Sequence, residues 1–107
     1  MVWVSWETLV TGEFAFKEKP SKEDMELIKE YLEIYPEDTF EWSVNKIVVE
    51  ENDGKTIVSF LGLNWCSHLD GEKIEELIKK LKKKLSRYAI SLYYLSEPHE
   101  DFYWEEN

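Results

Sequence analysis

Between residues 2 and 16 the chain alternates almost without fault. Val2, Val4, Trp6, Thr8, Val10, Phe14 and Phe16 fall on one parity, and Ser5, Glu7, Thr11 and Glu13 on the other. Successive side chains of an extended chain point to opposite faces, so a period of two held over this length predicts one long, half-buried strand, bent at Gly12. Such a strand buries its apolar face only inside a sheet with a second layer packed on it. The periodicities that follow decide which layer that is.

Pro20 and Ser21 break the alternation. Ser21 is a helix N-cap with Glu23 and Asp24 in the positive first turn, and Met25, Ile28, Leu32 and Tyr35 follow at helical spacing beside Leu27, Tyr31 and Ile34. Pro36 is expected to end this helix. Phe40, Trp42 and Val44 then alternate with Glu41, Ser43 and Asn45, and the strand continues through Ile47, Val48 and Val49. Residues 51–55 carry turn chemistry, with Asp53-Gly54 suited to positive φ, and residues 56–65 read as the returning strand of a hairpin.

Asp70 caps a second helix whose apolar stripe is Ile74, Leu77, Ile78, Leu81, Leu85 and Tyr88. Glu72, Glu75 and Glu76 open it and the cations of residues 79–87 close it, matching the helix dipole, while Glu75 and Glu76 pair with Lys79 and Lys80 one turn on. Residues 89–95 form a final strand. A turn at Ser96, Glu97 and Pro98 leads to Phe102, Tyr103 and Trp104, either a short fifth strand at the sheet edge or a tail.

The order is strand, helix, strand, strand, helix, strand. It predicts a single α+β domain over residues 1–107 with the ferredoxin-like βαββαβ arrangement, a four-stranded antiparallel sheet carrying both helices on one face. No internal linker or low-complexity stretch interrupts it.

Composition narrows the function classes. Lys+Arg 13 against Asp+Glu 23 leaves a net charge of −10, yet 43% of residues are apolar, and Trp 5, Tyr 6 and Phe 5 make the chain too hydrophobic for intrinsic disorder. The lone Cys66 excludes an internal disulfide, and no apolar run approaches the roughly 18 residues of a membrane span. A cytoplasmic protein without membrane attachment is expected. The absence of Gln, with lysine far outnumbering the single Arg87, resembles the composition of thermophile proteins.

Cys66, His68 and His99, with Glu97 or Asp101, are the only residues that suggest a metal. Structural zinc sites present paired ligands at both ends and no pair occurs here, so neither metal nor other cofactor is expected. Cys66 is read as a small buried thiol at a strand end. A Cys66–His68 nucleophile lacks an orienting group and an oxyanion pocket, and acids this abundant remove specificity from any carboxylate pair. Gly12, Gly54, Gly62 and Gly71 are scattered and form no phosphate-binding loop. The chain is therefore expected not to be an enzyme. The alternative is a small-ligand-binding domain or minor enzyme with a pocket near Cys66, His68 and His99.

The same strand order occurs in RNA-binding domains that stack bases on the sheet, but a charge of −10 repels polyanions, and no nucleic-acid partner is expected. Residues 79–87 are read as the solvated face and last turn of the second helix. The acidic pole is more telling. Residues 88–107 hold Glu97, Glu100, Asp101, Glu105 and Glu106, without Lys or Arg, among Tyr93, Tyr94, Phe102, Tyr103 and Trp104. Glu97, Glu100, Asp101, Phe102, Tyr103, Trp104 and Glu105 thus make a candidate contact surface for a basic protein, in which charge speeds encounter and aromatics supply burial. Glu37, Asp38 and Glu41 around Phe40 and Trp42 form a second stretch of this kind. The plainer reading is that the acids confer solubility and the aromatics pack. With two helices only, one sheet face stays uncovered, and Trp3, Leu9, Tyr93 and Leu95 are its candidates, which favours a homodimer through the sheet or an edge strand.

Thr11-Gly12-Glu13 in a long first strand, with Glu97, Asp101 and Trp104 near the end, resembles small ferredoxin-like proteins of bacteria and their phages whose activity is unassigned. Ser96 stands where those have a glycine, and one extra residue separates Asp101 from Trp104. The resemblance implies the fold and no activity. The functional expectation is an acidic protein working by protein contact as an oligomer, a regulatory subunit or an inhibitor, imitating nucleic acid toward a basic protein as small phage inhibitors of host defence nucleases do.

Overall fold

In the computed structural model, which describes residues 6–37, 43–96 and 99–107, the elements run β1 (Trp6–Phe16), α1 (Lys22–Leu32), β2 (Val44–Asn52), β3 (Lys55–Ser67), α2 (Gly71–Leu81), β4 (Leu85–Tyr94) and β5 (Glu100–Glu106). One 3-10 turn, Lys82–Lys84, joins α2 to β4. The strands form one antiparallel sheet in the order β2-β3-β1-β4-β5. This is the ferredoxin-like α+β fold with a fifth strand added outside β4. Of the two alternatives for the C-terminal residues, the strand is the one adopted. The expected strand residues 2–5, 40 and 42 lie outside the described residues.

The parity seen in the sequence of β1 sets the layers. Val10, Phe14 and Phe16 are fully buried in one cluster with Val58 and Phe60 of β3 and with Ile90 and Leu92 of β4. Ile28 and Leu32 of α1 and Ile74, Leu77, Ile78 and Leu81 of α2 close the same cluster from above, so both helices cover one face. Each such side chain taken out of water contributes roughly 1.5–3 kcal/mol, which is why the central strands carry the largest of them.

Local chemistry starts the helices as expected. Ser21 Oγ accepts from the Asp24 N–H at 3.1 Å, and Asp24 Oδ2 accepts from the Ser21 N–H at 3.0 Å, a reciprocal capping box. Asp70 Oδ1 accepts from the Lys73 N–H at 3.0 Å at the start of α2. Their ends differ from expectation. The first helix does not run to Pro36. Glu33 turns left-handed at φ 55, and its N–H and that of Ile34 both donate to the Lys29 carbonyl, the latter at 3.0 Å. This turn brings Ile34 back into the core, where it is fully buried.

The second helix does not reach Tyr88 either. Leu85 and Tyr88 continue its apolar spacing, yet both belong to β4, where Leu85 pairs with Phe16 and Tyr88 with Phe14. The Lys17 N–H donates to the Lys84 carbonyl at 2.9 Å and extends this pairing by one more bond. Ladder bonds to the central strand outweigh a preference for helix that is worth only a few tenths of a kcal/mol per residue, on the order of 0.7 at most.

Two glycines are dictated by the backbone. The β2–β3 hairpin turns on Asp53 (φ 50) and Gly54 (φ 77), the paired left-handed residues of a two-residue type I′ turn. In β1, Gly12 has φ 156 and lies so close to β4 that a Cβ there would sit 2.1 Å from the Ala89 carbonyl oxygen. The pairing register passes Gly12 without a shift. The irregularities of β1 fall instead between Trp6 and Thr8 and between Ala15 and Phe16.

Candidate functional site

Among the described strands β5 pairs only with β4, with Tyr88, Ile90, Leu92 and Tyr94 opposite Glu106, Trp104, Phe102 and Glu100. Alternation then divides the candidate residues between two faces. Glu100, Phe102 and Trp104 follow Ile90 and Leu92 onto the helix side, while Asp101, Tyr103 and Glu105 lie opposite Tyr93, Ser91 and Ala89 on the open side. Glu97 lies outside the described residues. The candidate surface is thus the two sides of one edge strand.

The helix-side aromatics fix the strand in place. The Phe102 ring meets Tyr94 edge-on at 5.8 Å between centroids and stacks with Trp104 at 6.2 Å. Trp104 Nε1 donates to Glu75 Oε1 of α2 at 3.4 Å, and the Tyr94 hydroxyl donates to the Leu69 carbonyl at 3.1 Å. Burial, and then the nearby charges of Asp70 and Glu100, raise the Tyr94 pKa above its ordinary value. Phe102 nevertheless stays 39% exposed.

On the open side Tyr103 is 60% exposed and its hydroxyl donates to Glu105 Oε2 at 2.7 Å, while Asn107 Nδ2 donates to Glu105 Oε1 at 3.0 Å. The shared proton raises the tyrosine and lowers the carboxyl, because the bond favours protonated Tyr103 and ionised Glu105. Glu105 is therefore held as an anion beside an aromatic ring. Charge and apolar contact are available together along β5, with no cation within it.

Val44, Leu63, Leu9 and Tyr93 lie side by side across β2, β3, β1 and β4, ending at Asp101 on β5. Leu9 and Tyr93 thus face the open side as expected, and exposed Leu95 follows β4. Trp3 lies outside the described residues. Nearer the other end of the face, Arg87 grips Glu13 with Nη1 on Oε1 at 3.1 Å and Nη2 on Oε2 at 3.5 Å.

Residues 79–87, expected as the solvated face and last turn of one helix, are spread over three elements. Lys79 and Lys80 end α2, Lys82–Lys84 form the 3-10 turn and Arg87 belongs to β4. Lys84 Nζ donates to Asp24 Oδ1 at 2.8 Å, and Lys80 Nζ stands 5.9 Å from the centre of the Tyr31 ring. These partners are distant in sequence, and no periodicity announces them.

Cys66 is exposed, contrary to the buried thiol expected at a strand end. His68 lies past the end of β3, where its N–H donates to Glu33 Oε1 at 3.2 Å, and His99 precedes β5. Among the described residues no group of three or more His, Cys, Asp or Glu is placed to hold a metal ion. A cleft of about 370 Å³ is lined by Phe16, Lys17, Lys19, Ser21, Asp24 and Lys84. It lies at the end of the sheet opposite Cys66, since Phe16 pairs with Thr56 while Trp6 pairs with Ser67. No helix among the described residues is long and apolar enough to cross a membrane.

Fold and edge together define the class, a ferredoxin-like α+β protein whose added fifth strand carries an acidic, aromatic edge. No protein-family profile, curated protein or solved structure matches the chain.

Proposed function

We propose that this chain is a non-enzymatic protein-binding module, a regulatory subunit or inhibitor in the cytoplasm, that takes a basic partner along β5. The observation that carries this reading is the edge strand itself. Glu100, Asp101, Glu105 and Glu106 occupy four of its seven positions, Phe102 and Tyr103 are exposed between them, and among the described residues only β4 pairs with it. An unpaired edge offers main-chain hydrogen bonds to an added extended segment, and the side chains alternating on its two faces choose which segment is accepted. Here they select for Lys and Arg. A partner that ordinarily binds nucleic acid has such a surface, so imitation of a polyanion is the sharper form of the proposal.

The test is capture from a lysate of the source organism at low and high salt, followed by titration of the identified partner against wild type and a Glu100→Gln, Asp101→Asn, Glu105→Gln, Glu106→Gln variant. All four side chains are exposed, so the variant is expected to fold, which circular dichroism checks. Affinity should fall at least about tenfold in the variant and decline with salt in the wild type. Equal affinity of the two proteins would sink the proposal.

A further inference from the structure

At the opposite edge of the sheet, we propose that two copies of this chain join through β2, antiparallel and in one register centred on Val48, to make a continuous ten-stranded sheet. The surface differs from β5 in every respect that matters. Among the described residues β2 pairs with β3 alone, and Val44, Val48 and Val49 are 41%, 50% and 49% exposed, three β-branched side chains on one open strand. Exposed apolar edges of this kind are pairing templates unless charge or shape blocks them.

Backbone geometry states which residues face outward. A two-residue type I′ turn is closed by a hydrogen-bonded pair, here Asn52 and Lys55. Hydrogen-bonded and non-bonded pairs alternate along an antiparallel ladder, so Glu50, Val48, Lys46 and Val44 direct their N–H and C=O groups to β3. Asn45, Ile47, Val49 and Glu51 direct theirs away from the sheet.

A second β2 related by a two-fold axis normal to the sheet meets these groups. Both helical layers then stay on one side, which requires opposed residues to share a face. Centred on Val48, the strand read against its own reverse sets Ile47 opposite Val49, Asn45 opposite Glu51, and Lys46 opposite Glu50. All four outward-facing residues meet one another as hydrogen-bonded pairs. The lysine and the glutamate share the open face, and symmetry forms that ion pair twice. Moving the centre to Ile47 sets Lys46 against Val48, and moving it to Val49 sets Ile47 against Glu51, so both neighbouring registers lose the match. Further shifts oppose Lys46 to Lys46 or Glu50 to Glu50. Charge therefore selects one register as well as permitting the contact.

Charge also works against self-pairing at the other edge, where four of seven residues are acidic and none is basic. Centred on Tyr103, β5 against β5 would oppose Glu100 to Glu106 and Asp101 to Glu105, four repulsive pairs by symmetry. The occupant of the β2 edge is a second copy, chosen by the match of Lys46 to Glu50, and the two β5 strands lie at the far ends of the joined sheet. If the reading of β5 holds, the dimer presents two sites for a basic partner.

Sedimentation velocity and light scattering of the full chain decide the matter. Wild type should have twice the 12.8 kDa mass of one chain. Val48→Lys, a change at an exposed side chain, should give folded monomer. Lys46→Glu and Glu50→Lys should each weaken self-association at least about tenfold by opposing like charges, and the double exchange should restore it. The amides of Asn45, Ile47, Val49 and Glu51 should exchange slowly in wild type and fast in Val48→Lys. A wild type of single-chain mass, a dimer that survives Val48→Lys, or a charge exchange that fails to restore pairing overturns the proposal. The neutralised β5 variant should remain dimeric, which separates this test from that of the β5 site.

Discussion

Replacing Gly12 by alanine should be among the most damaging single-methyl changes this protein can receive. The added Cβ would stand 2.1 Å from Ala89 O and 2.9 Å from Ile90 Cα, whereas real Cβ atoms essentially never come within 3.0 Å of a heavy atom. Both obstacles are backbone of β4, so no side chain can swing aside. The strands must part by about the 0.9 Å difference between 3.0 and 2.1 Å. Opening the ladder there forfeits one or two hydrogen bonds, about 0.5–1.5 kcal/mol each. Overpacking adds roughly 1–3 kcal/mol, and a side chain at φ 156 adds strain of order 1 kcal/mol. The total is about 2.5–7 kcal/mol, a large share of the roughly 5–15 kcal/mol that stabilises a domain of this size.

The comparator is Gly54→Ala. That glycine also has positive φ, 77, but a Cβ there meets nothing within 4 Å, so only the left-handed backbone penalty applies, about 1–2 kcal/mol. Urea and thermal unfolding of both variants, read by circular dichroism, should place Gly12→Ala lower in midpoint by at least 4 to 8 °C per kcal/mol of the difference, roughly. If Gly12→Ala unfolds at or above the midpoint of Gly54→Ala, the close approach of β1 and β4 is not what requires the glycine.

The remaining predictions concern one carboxylate and one indole. Burial pushes the Asp24 pKa up, but the hydrogen bond from Lys84 and those with Ser21 outweigh it and hold it below the ordinary 3.8. A depressed folded value means the group stabilises the fold fully above 3.8, and that contribution disappears as pH falls through the folded value. Asp24→Asn should therefore lower stability at neutral pH by about 1–3 kcal/mol and flatten the loss of stability on acidification below pH 4, measured by urea unfolding across pH; a wild-type acid profile in the variant would refute this. Trp104→Ala removes the ring that joins Phe102 to Glu75 and should release β5 preferentially. Its amides should gain exchange rate far more than those of β1, and uniform acceleration across the sheet would show that β5 has no separate anchor.

Much of this architecture is legible in local chemistry. The parity of Val10, Phe14 and Phe16, the caps Ser21 and Asp70, and the Asp53-Gly54 turn each act within a few residues, and their order yields the ferredoxin-like fold. Boundaries were legible only where one period applied. Leu85 and Tyr88 fit the stripe of α2 as well as a strand, and β4 claimed them because β1 offered a ladder. The end of α1 was set by Glu33, three residues before Pro36, turning left-handed so that Ile34 could enter the core, a tertiary demand that no local rule states.

The candidate site divides in the same way. The run of acids and aromatics from Glu100 to Glu106 is visible as composition, but its distribution over two faces follows from the register with β4, a partner strand that sequence does not align. The exposure of Cys66, the Lys84–Asp24 pair 60 residues apart and the Arg87–Glu13 pair 74 apart likewise depend on which strands become neighbours. By itself the sequence determined the kinds of element, their order and the face each must bury, because alternation, capping and turn conformation are short-range physics. Only the tertiary structure decided where elements stop, which charges meet and which edges stay open, because those outcomes compare the free energies of contacts between distant segments.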